Sequence, residues 1–520
     1  MKIFDFIIIG SGPSAYGALC SLDKKNKKVL ILESGPEYIK SVSKINSKSF
    51  HEFRNSDINQ YKSLYSDQLY LDDKSIQSPK LESFEYLAAM KLNASYTKFH
   101  EINFKTTHAS IYGGLSNFWG SGIACYSGDE LLEARLPVNE MYLFYDSILN
   151  RIPVANNTYD DMYEYFGLKK ISDTLKMSHL SQIFYDNYKN SLKKIINMSI
   201  GRPRLSVNLK DHDDIKKCSY RGNCLYGCQN NSIFNAKNYI HNLVLQNKME
   251  IIFSQHVSHI VAKKKYNEVI TEDAIFYGKK IIIAAGTIPT TKIVHKSLNL
   301  RKKVKLLSSP SAGFALYKPS FFNNNYIEES FFGLSQAAFK ITNNNDNYFG
   351  AIFDPKALPI SKFASYMPFS SKNNFIFSRH FLKSCLLGNI FLNGKYSNHS
   401  INFNADFSEV FIDGGYSSHI FKKLNFIKNN IFMNFLRLGF FYVPTSLKLS
   451  TPGSDSHYSG TINITDFFEL GNCDNNCKIY GLENVYAVDG SVLNYLSEKS
   501  HTLTLMANAM RVVDKVVKQL

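Results

Sequence analysis

Phe4-Asp5-Phe6-Ile7-Ile8-Ile9-Gly10-Ser11-Gly12-Pro13-Ser14-Ala15 carries a short apolar run straight into a glycine turn. The run has the length and β-branched content of a strand buried on both faces. The turn fits the pattern G-x-G-x-x-G/A, with Ala15 in the last place. A helical stretch from Ser14 to Leu22 follows, then a lysine-rich turn, then a second apolar run, Val29-Leu30-Ile31-Leu32, ending at Glu33. Each part has a task in holding a dinucleotide. Gly10 permits the tight turn, Gly12 lets the backbone approach a pyrophosphate, and the small Ala15 lets helix and strand pack closely. Ser11 and Ser14 complete the turn at the helix N-terminus, whose free N–H groups and positive dipole end favour phosphate. Glu33, about 20 residues beyond the glycines, can accept bonds from a ribose hydroxyl and would repel a 2′-phosphate. Strand, glycines, helix, second strand and acid in this order predict a βαβ dinucleotide-binding unit.

At 520 residues the chain is long enough for two or more domains, sequential or interleaved. An apolar content of 44% and an aromatic content of 14% exclude a disordered chain. No run reaches about 18 uninterrupted apolar residues, so a membrane span is not expected. Asp5 breaks the first apolar run and the fingerprint follows at once, which argues against a signal peptide. The mature protein is therefore expected to start at Met1 and to be cytoplasmic. The formal charge of +16 favours an anionic ligand or an acidic surface. However, the lysines are scattered, Arg301-Lys302-Lys303-Val304-Lys305 being the densest cluster, and no nucleic-acid motif accompanies them. Nucleic acid is not expected as a partner.

Eight cysteines in so long a chain do not make a disulfide framework. Cys20, Cys125 and Cys385 read as isolated core residues. Cys218, Cys224 and Cys228 cluster, at spacings that differ from the paired C-x2-C of common zinc sites. A fourth metal ligand would have to come from His212 or from Cys473 and Cys477. A structural loop without metal is the expectation, and a zinc or iron–sulfur site the alternative.

Four further regions carry information. Ser41 to Lys105 is polar and tyrosine-rich, an excursion of helices and loops from the nucleotide-binding part. Ile111-Tyr112-Gly113-Gly114-Leu115-Ser116-Asn117-Phe118-Trp119-Gly120-Ser121-Gly122 mixes small residues with aromatics, suiting a backbone that lies against a flat ligand, and holds the only Trp. Asp129 to about Ile200 reads as helical and charged. Glu250–Phe253 and Val257–Ala262 read as strands, and Lys280-Ile281-Ile282-Ile283-Ala284-Ala285-Gly286-Thr287 as a buried strand ending in small residues, with a Pro289-containing helix after it. From Ser311 to Ser446 the pattern is β-rich, and Ile401 to Phe407 alternates like a half-solvated antiparallel strand. Leu424, Ile427, Ile431, Phe435 and Leu438 repeat at helical spacing among basic residues; packing on a sheet and lying on a membrane both suit such a helix. The chain closes with His457-x-x-Gly460-Thr461, Val488-Asp489-Gly490-Ser491, Ser500-His501-Thr502 and a helix from about Leu503 to Lys515.

Taken together, these motifs resemble the glucose–methanol–choline (GMC) family of flavin oxidoreductases. The opening fingerprint resembles the family's FAD site. Gly113 to Gly120 resembles its second signature as seen in pyranose oxidases, Ala284-Ala285-Gly286 its third, and the closing motifs its C-terminal signature. The resemblance implies an α/β fold: a Rossmann-type FAD-binding domain (residues 1–40, 101–130, 215–310 and 450–520), interleaved with an α+β substrate or cap domain carrying an antiparallel sheet (41–100, 131–214 and 311–449). It implies FAD, with Gly10, Ser11, Gly12, Ser14 and Ala15 at the pyrophosphate, Glu33 at the adenosine ribose and the Val257 backbone at the adenine. Gly113, Gly114 and Ser116 would line the flavin with Trp119 beside the reacting ring. Ala285 and Gly286 would pass beneath the dinucleotide, and Asp489 and Gly490 would approach its ribityl and pyrophosphate region. Where pyranose oxidases carry a flavin-linking histidine this chain has Phe118, so the FAD would be noncovalent. The cysteine loop is similar to one in the gluconate- and fatty-alcohol-oxidising branches.

By the same resemblance His457 is the catalytic base and His501 the group that orients an alcohol. Histidine suits the task, since its ordinary pKa lies near neutrality. The implied activity is oxidation of a CH–OH group of a sugar or polyol by hydride transfer to flavin, with oxygen, a quinone or a carrier protein as acceptor. A non-redox lyase on the same scaffold and a non-catalytic flavin-binding protein, weakly associated with a membrane, are the competing readings.

Overall fold

The computed structural model describes residues 2–39, 50, 53–54, 79–191, 195–211, 215–322, 330–344, 346–360, 363 and 370–519. Much of the Ser41–Lys105 excursion, and His212, lie outside the described residues.

The opening apolar run forms the strand Ile3–Ile9, with Phe6, Ile7 and Ile8 fully buried. It lies parallel to Val29–Leu32 on one side and to Ile275–Ile283 on the other. Glu250–Ile252 extends the sheet beyond Val29–Leu32, again in parallel. The long strand Ile275–Ile283 forks: its first half pairs antiparallel with Asn267–Thr271, its second half parallel with Val485–Ala487. Its first half is the part the sequence reading missed, because Phe276, Tyr277 and Lys279 stay partly or fully exposed and break the apolar run. The opening helix Pro13–Leu22 packs on this sheet and is crossed by the closing helix Thr502–Val517. Gly17 is the point of closest approach, since a Cβ there would strike the Met506 carbonyl. No larger residue lets the helices come this near.

A second, antiparallel sheet runs Phe441–Tyr442, Ser311–Tyr317, Cys385–Phe391, Asp346–Phe353, Ala337–Asn343, Met198–Gly201, with Lys448–Leu449 also on Ser311–Tyr317. The helix Ile420–Arg437 covers its outer face. Ile420, Leu424, Ile427, Ile431 and Phe435 are buried there, and Phe435 stacks on Phe314 and meets Phe339 edge-on. The periodic stripe of this helix therefore faces the sheet and is not offered to a membrane. A third sheet joins Tyr458–Ser459, Val304–Ser308, His399–Phe403, Glu409–Asp413 and Lys98–Ile102. The expected alternation is present over His399–Phe403, and the strand ends in a hairpin where Phe407 takes a φ of 64°.

Cys20, Cys125 and Cys385 are buried core residues and all eight cysteines are free. Among the described residues no cluster of His, Cys, Asp and Glu is placed to hold a metal ion, and no helix is long and apolar enough to cross a membrane.

Candidate active site

One cavity of about 860 Å³ reaches from the glycine turn at the end of the first strand to the inner face of the antiparallel sheet. That volume lies at the upper end of small-molecule and cofactor sites, about 300–1,000 Å³. Gly10, Ser11, Gly12, Ser14, Glu33, Gly114, Ser116, Trp119, Val257, Ala285, Gly286, Asp489, Gly490, His457 and His501 all line it.

At the turn, Gly10 takes a φ of +97°, and a Cβ there would stand 2.5 Å from the Ala284 carbonyl oxygen. The turn is thus pressed onto the strand end and only glycine fits. Beside it, Gly12 faces open space, and no side chain caps the helix it begins. Pro13 has no N–H to satisfy, and the N–H groups of Ser14 and Ala15 are left without a side-chain cap at the cavity end of the helix. Glu33 is buried, accepting from the Ser11 hydroxyl and from the Gly35 N–H at 2.7 Å, and burial pushes its carboxyl up to about 7. The Ser11 oxygen in turn accepts from the Gly113 N–H at 2.9 Å. So Ser11 is a strut between Glu33 and the second glycine motif as well as part of the turn.

The other expected positions divide. Gly114 packs on Gly12, with room for a Cβ only 3.5 Å from the Gly12 Cα. Gly113 does not line the cavity; its φ is +90° and a Cβ would meet Asn235 Oδ1 at 2.8 Å. Ala15 does not line it either but is buried between helix and sheet. The Ser116 hydroxyl donates to the Gly113 carbonyl at 2.6 Å and accepts from the Ala236 N–H at 3.0 Å, which commits it to shaping the loop. Trp119 donates from Nε1 to the Phe234 carbonyl at 2.8 Å and offers the cavity its ring. Asp489 is buried and accepts from the Gly286 N–H at 2.9 Å, from Ser491 and from the Thr290 hydroxyl. It fastens the strand end Ala284–Gly286 to the C-terminal segment.

At the far end the two imidazoles meet. The ring centroids of His457 and His501 are 5.0 Å apart, at 82° to one another, with Phe391 flanking His457 at 5.5 Å. Different elements bring them together. His457 precedes the strand Tyr458–Ser459, and the buried Asp455 accepts from the backbone N–H groups of Ser309 at 2.9 Å and His457 at 3.2 Å. His501 is the residue from which the closing helix starts, held by the ion pair of Lys499 with Glu130 at 2.7 Å. Burial holds His457 neutral, its pKa pushed down to about 4; burial first, and then the impossibility of two adjacent cations beside His457, push His501 well below its ordinary value. The positive end of the closing helix acts in the same direction. Nδ1 of each ring is shut off from water without a partner, which leaves Nε2 to face the cavity.

Several lining groups escaped the sequence reading. His108 stacks on Phe99 at 4.6 Å with neither ring nitrogen partnered, and burial pushes it down to about 4. Glu498 accepts from the Tyr165 hydroxyl at 3.0 Å, and burial raises its pKa. Glu498 and Lys499 could have been noticed as two charges inside an otherwise small-residue motif. His108 had no comparable signal.

No protein-family model matches the chain and no curated protein matches its sequence. The three sheets and the cavity between them nonetheless define a known α/β fold. A solved pyridoxine 4-oxidase from Mesorbium loti shares it over 99% of both chains, with a TM-score of 0.60 and 12% sequence identity. This full-length likeness agrees with the fold class expected from the motifs.

Proposed function

We propose that the protein is an FAD-dependent oxidoreductase that oxidises a CH–OH group. The observation that carries this is the convergence of His457 and His501, 44 positions apart, on the wall of the cavity that also takes in the glycine turn. The residues present fit a noncovalent flavin dinucleotide. The uncapped helix start and Gly12 suit its pyrophosphate, Glu33 a ribose, the Val257 backbone its adenine, and Gly114 and Trp119 the ring. Phe118 lines the cavity without an atom to form a link. FAD, when bound, supplies the acceptor for a hydride from the carbinol carbon.

The rest is the work of the chain. His457, neutral at working pH, takes the hydroxyl proton on Nε2 as the alkoxide develops. His501 orients the oxygen by a hydrogen bond. The apolar walls exclude water from the reacting centre. A sugar or polyol is the substrate suggested by the second glycine motif. A second reading, an alcohol carried on an aromatic ring, is favoured by the Phe166, Phe349, Phe353 and Phe391 lining and by the substrate in the pyridoxine oxidase's name. An aromatic wall leaves most hydroxyls of a polyol without partners. Anaerobic titration of the FAD-loaded protein with sugars, polyols and pyridyl or benzylic alcohols distinguishes them. Bleaching of the flavin identifies the substrate, and a flavin that stays oxidised throughout while a cyanohydrin is cleaved points to the lyase reading.

A further inference from the structure

The helix Ile420–Arg437 buries one stripe against the antiparallel sheet, yet on its solvent side four large apolar side chains stand exposed among Asn425, Asn429 and lysines. Phe421 is 68% exposed, Phe432 46%, Met433 47% and Leu436 38%. At 3.6 residues per turn, Phe421, Phe432 and Leu436 fall within an arc of roughly 60°. Lys428 borders that arc on one side and Lys422 on the other, both exposed. Large apolar side chains left exposed along one side of a helix, interleaved with lysine and asparagine, mark a contact surface.

The charge around the stripe says what covers it. From Gly414 to Ser454 the chain contains no Asp or Glu. Lys422 and Lys428 lie beside it, whereas Lys423 turns aside to Asp346 at 2.6 Å. A second copy of this chain would set lysine against lysine and bring no acid to pair with them. Large apolar side chains at the level of flanking lysines, on a protein of net charge +16, instead match an anionic lipid surface, which takes rings and Leu at the acyl boundary and lysines at the headgroups.

We infer that the outward face of Ile420–Arg437 docks the protein on an anionic membrane, with the helix lying in the plane of the surface. This proposal is independent of the substrate and of the chemistry proposed above. The test is flotation of the FAD-loaded protein with phosphatidylcholine vesicles, with and without phosphatidylglycerol. Binding to the anionic vesicles alone is expected, weakening as salt is added. Replacing Lys422→Gln and Lys428→Gln together should weaken it roughly 30-fold, at about 1 kcal/mol per basic residue near an anionic surface. Phe421→Ser with Phe432→Ser and Leu436→Ser should abolish it, with flavin content and thermal midpoint unchanged. The exposed glutamines keep the test valid if the serine variant does not fold. Failure to float with either vesicle, equal flotation with both, or glutamine variants that bind like the parent would overturn the proposal. So would sedimentation showing a dimer that the serine substitutions dissociate, which would assign the face to a second copy.

Discussion

His457 and His501 are kept neutral by burial, and that fixes how acid should affect the protein. In the proposed role of base, a histidine that takes up its own proton only near pH 4 keeps kcat/KM high well below neutrality, so the acid limb should fall close to 4 instead of the ordinary 6.5 of histidine. A limb at about 6.5 in the pH profile would contradict the depressed pKa of His457. Stability follows the same sign. Between about pH 6.5 and 4 the unfolded chain binds protons on these histidines that the folded chain refuses, so the fold loses stability as pH falls through that window. The thermal midpoint should therefore drop from pH 7 to pH 5, by less in His457→Gln. On activity, His457→Ala should lower kcat by about 10²–10⁴-fold while FAD remains bound, measured by single-turnover flavin reduction. The two histidines could be read in the sequence only through the motifs around them; nothing in a 44-residue separation brings two rings to 5.0 Å. His108 was not legible because its significance is positional, an orphan ring inside a cavity, whereas Glu498 left a trace as a charge within a small-residue motif.

Among the elements, the glycine turn and the crossing of the opening and closing helices depend most on single residues. Gly10→Ala forces a Cβ onto the Ala284 carbonyl at a backbone conformation that L side chains avoid. It should cost more than about 1 kcal/mol and displace the turn, which FAD titration would register as weakened binding. Gly17→Ala should separate the two helices and lower the thermal midpoint even though it leaves the cavity lining intact. Sequence reading recovered Ile3–Ile9, Val29–Leu32, Val257–Ala262 and Ile420–Arg437 because each has a single period or a continuous apolar run. It did not find Tyr458–Ser459 or Phe441–Tyr442, two-residue strands whose pairing is set wholly by distant partners. For Ile420–Arg437 the period located the helix and the inner face, but only the packed sheet shows that the remaining apolar residues are left outside.

At the scale of the molecule, the cavity wall is held by a buried charge pair. Arg204 donates to both oxygens of Asp160, at 2.8 and 2.9 Å, to Asn157 at 2.9 Å and to the Thr158 carbonyl at 2.7 Å, and is itself wholly buried. Arg204→Ala should cost about 3–5 kcal/mol, because Asp160 is left nearly buried without its cation, keeping only the backbone N–H groups of Arg202 and Met162 and the Thr158 hydroxyl as donors. Chemical denaturation of the variant against the parent measures it. The arrangement of the sheets has a consequence for the making of the protein. The strand Val485–Ala487 completes the sheet begun by Ile3–Ile9, and the closing helix covers the opening one. During synthesis the amino-terminal cradle must therefore wait, unfinished, until Val485–Ala487 and the helix Thr502–Val517 have left the ribosome. A chain that lacks Val485–Ala487 and the helix after it leaves the edge of Ile281–Ile283 unpaired and the Gly17 face of the opening helix uncovered, so a truncation before Val485 is expected to aggregate, read as loss of soluble product on expression.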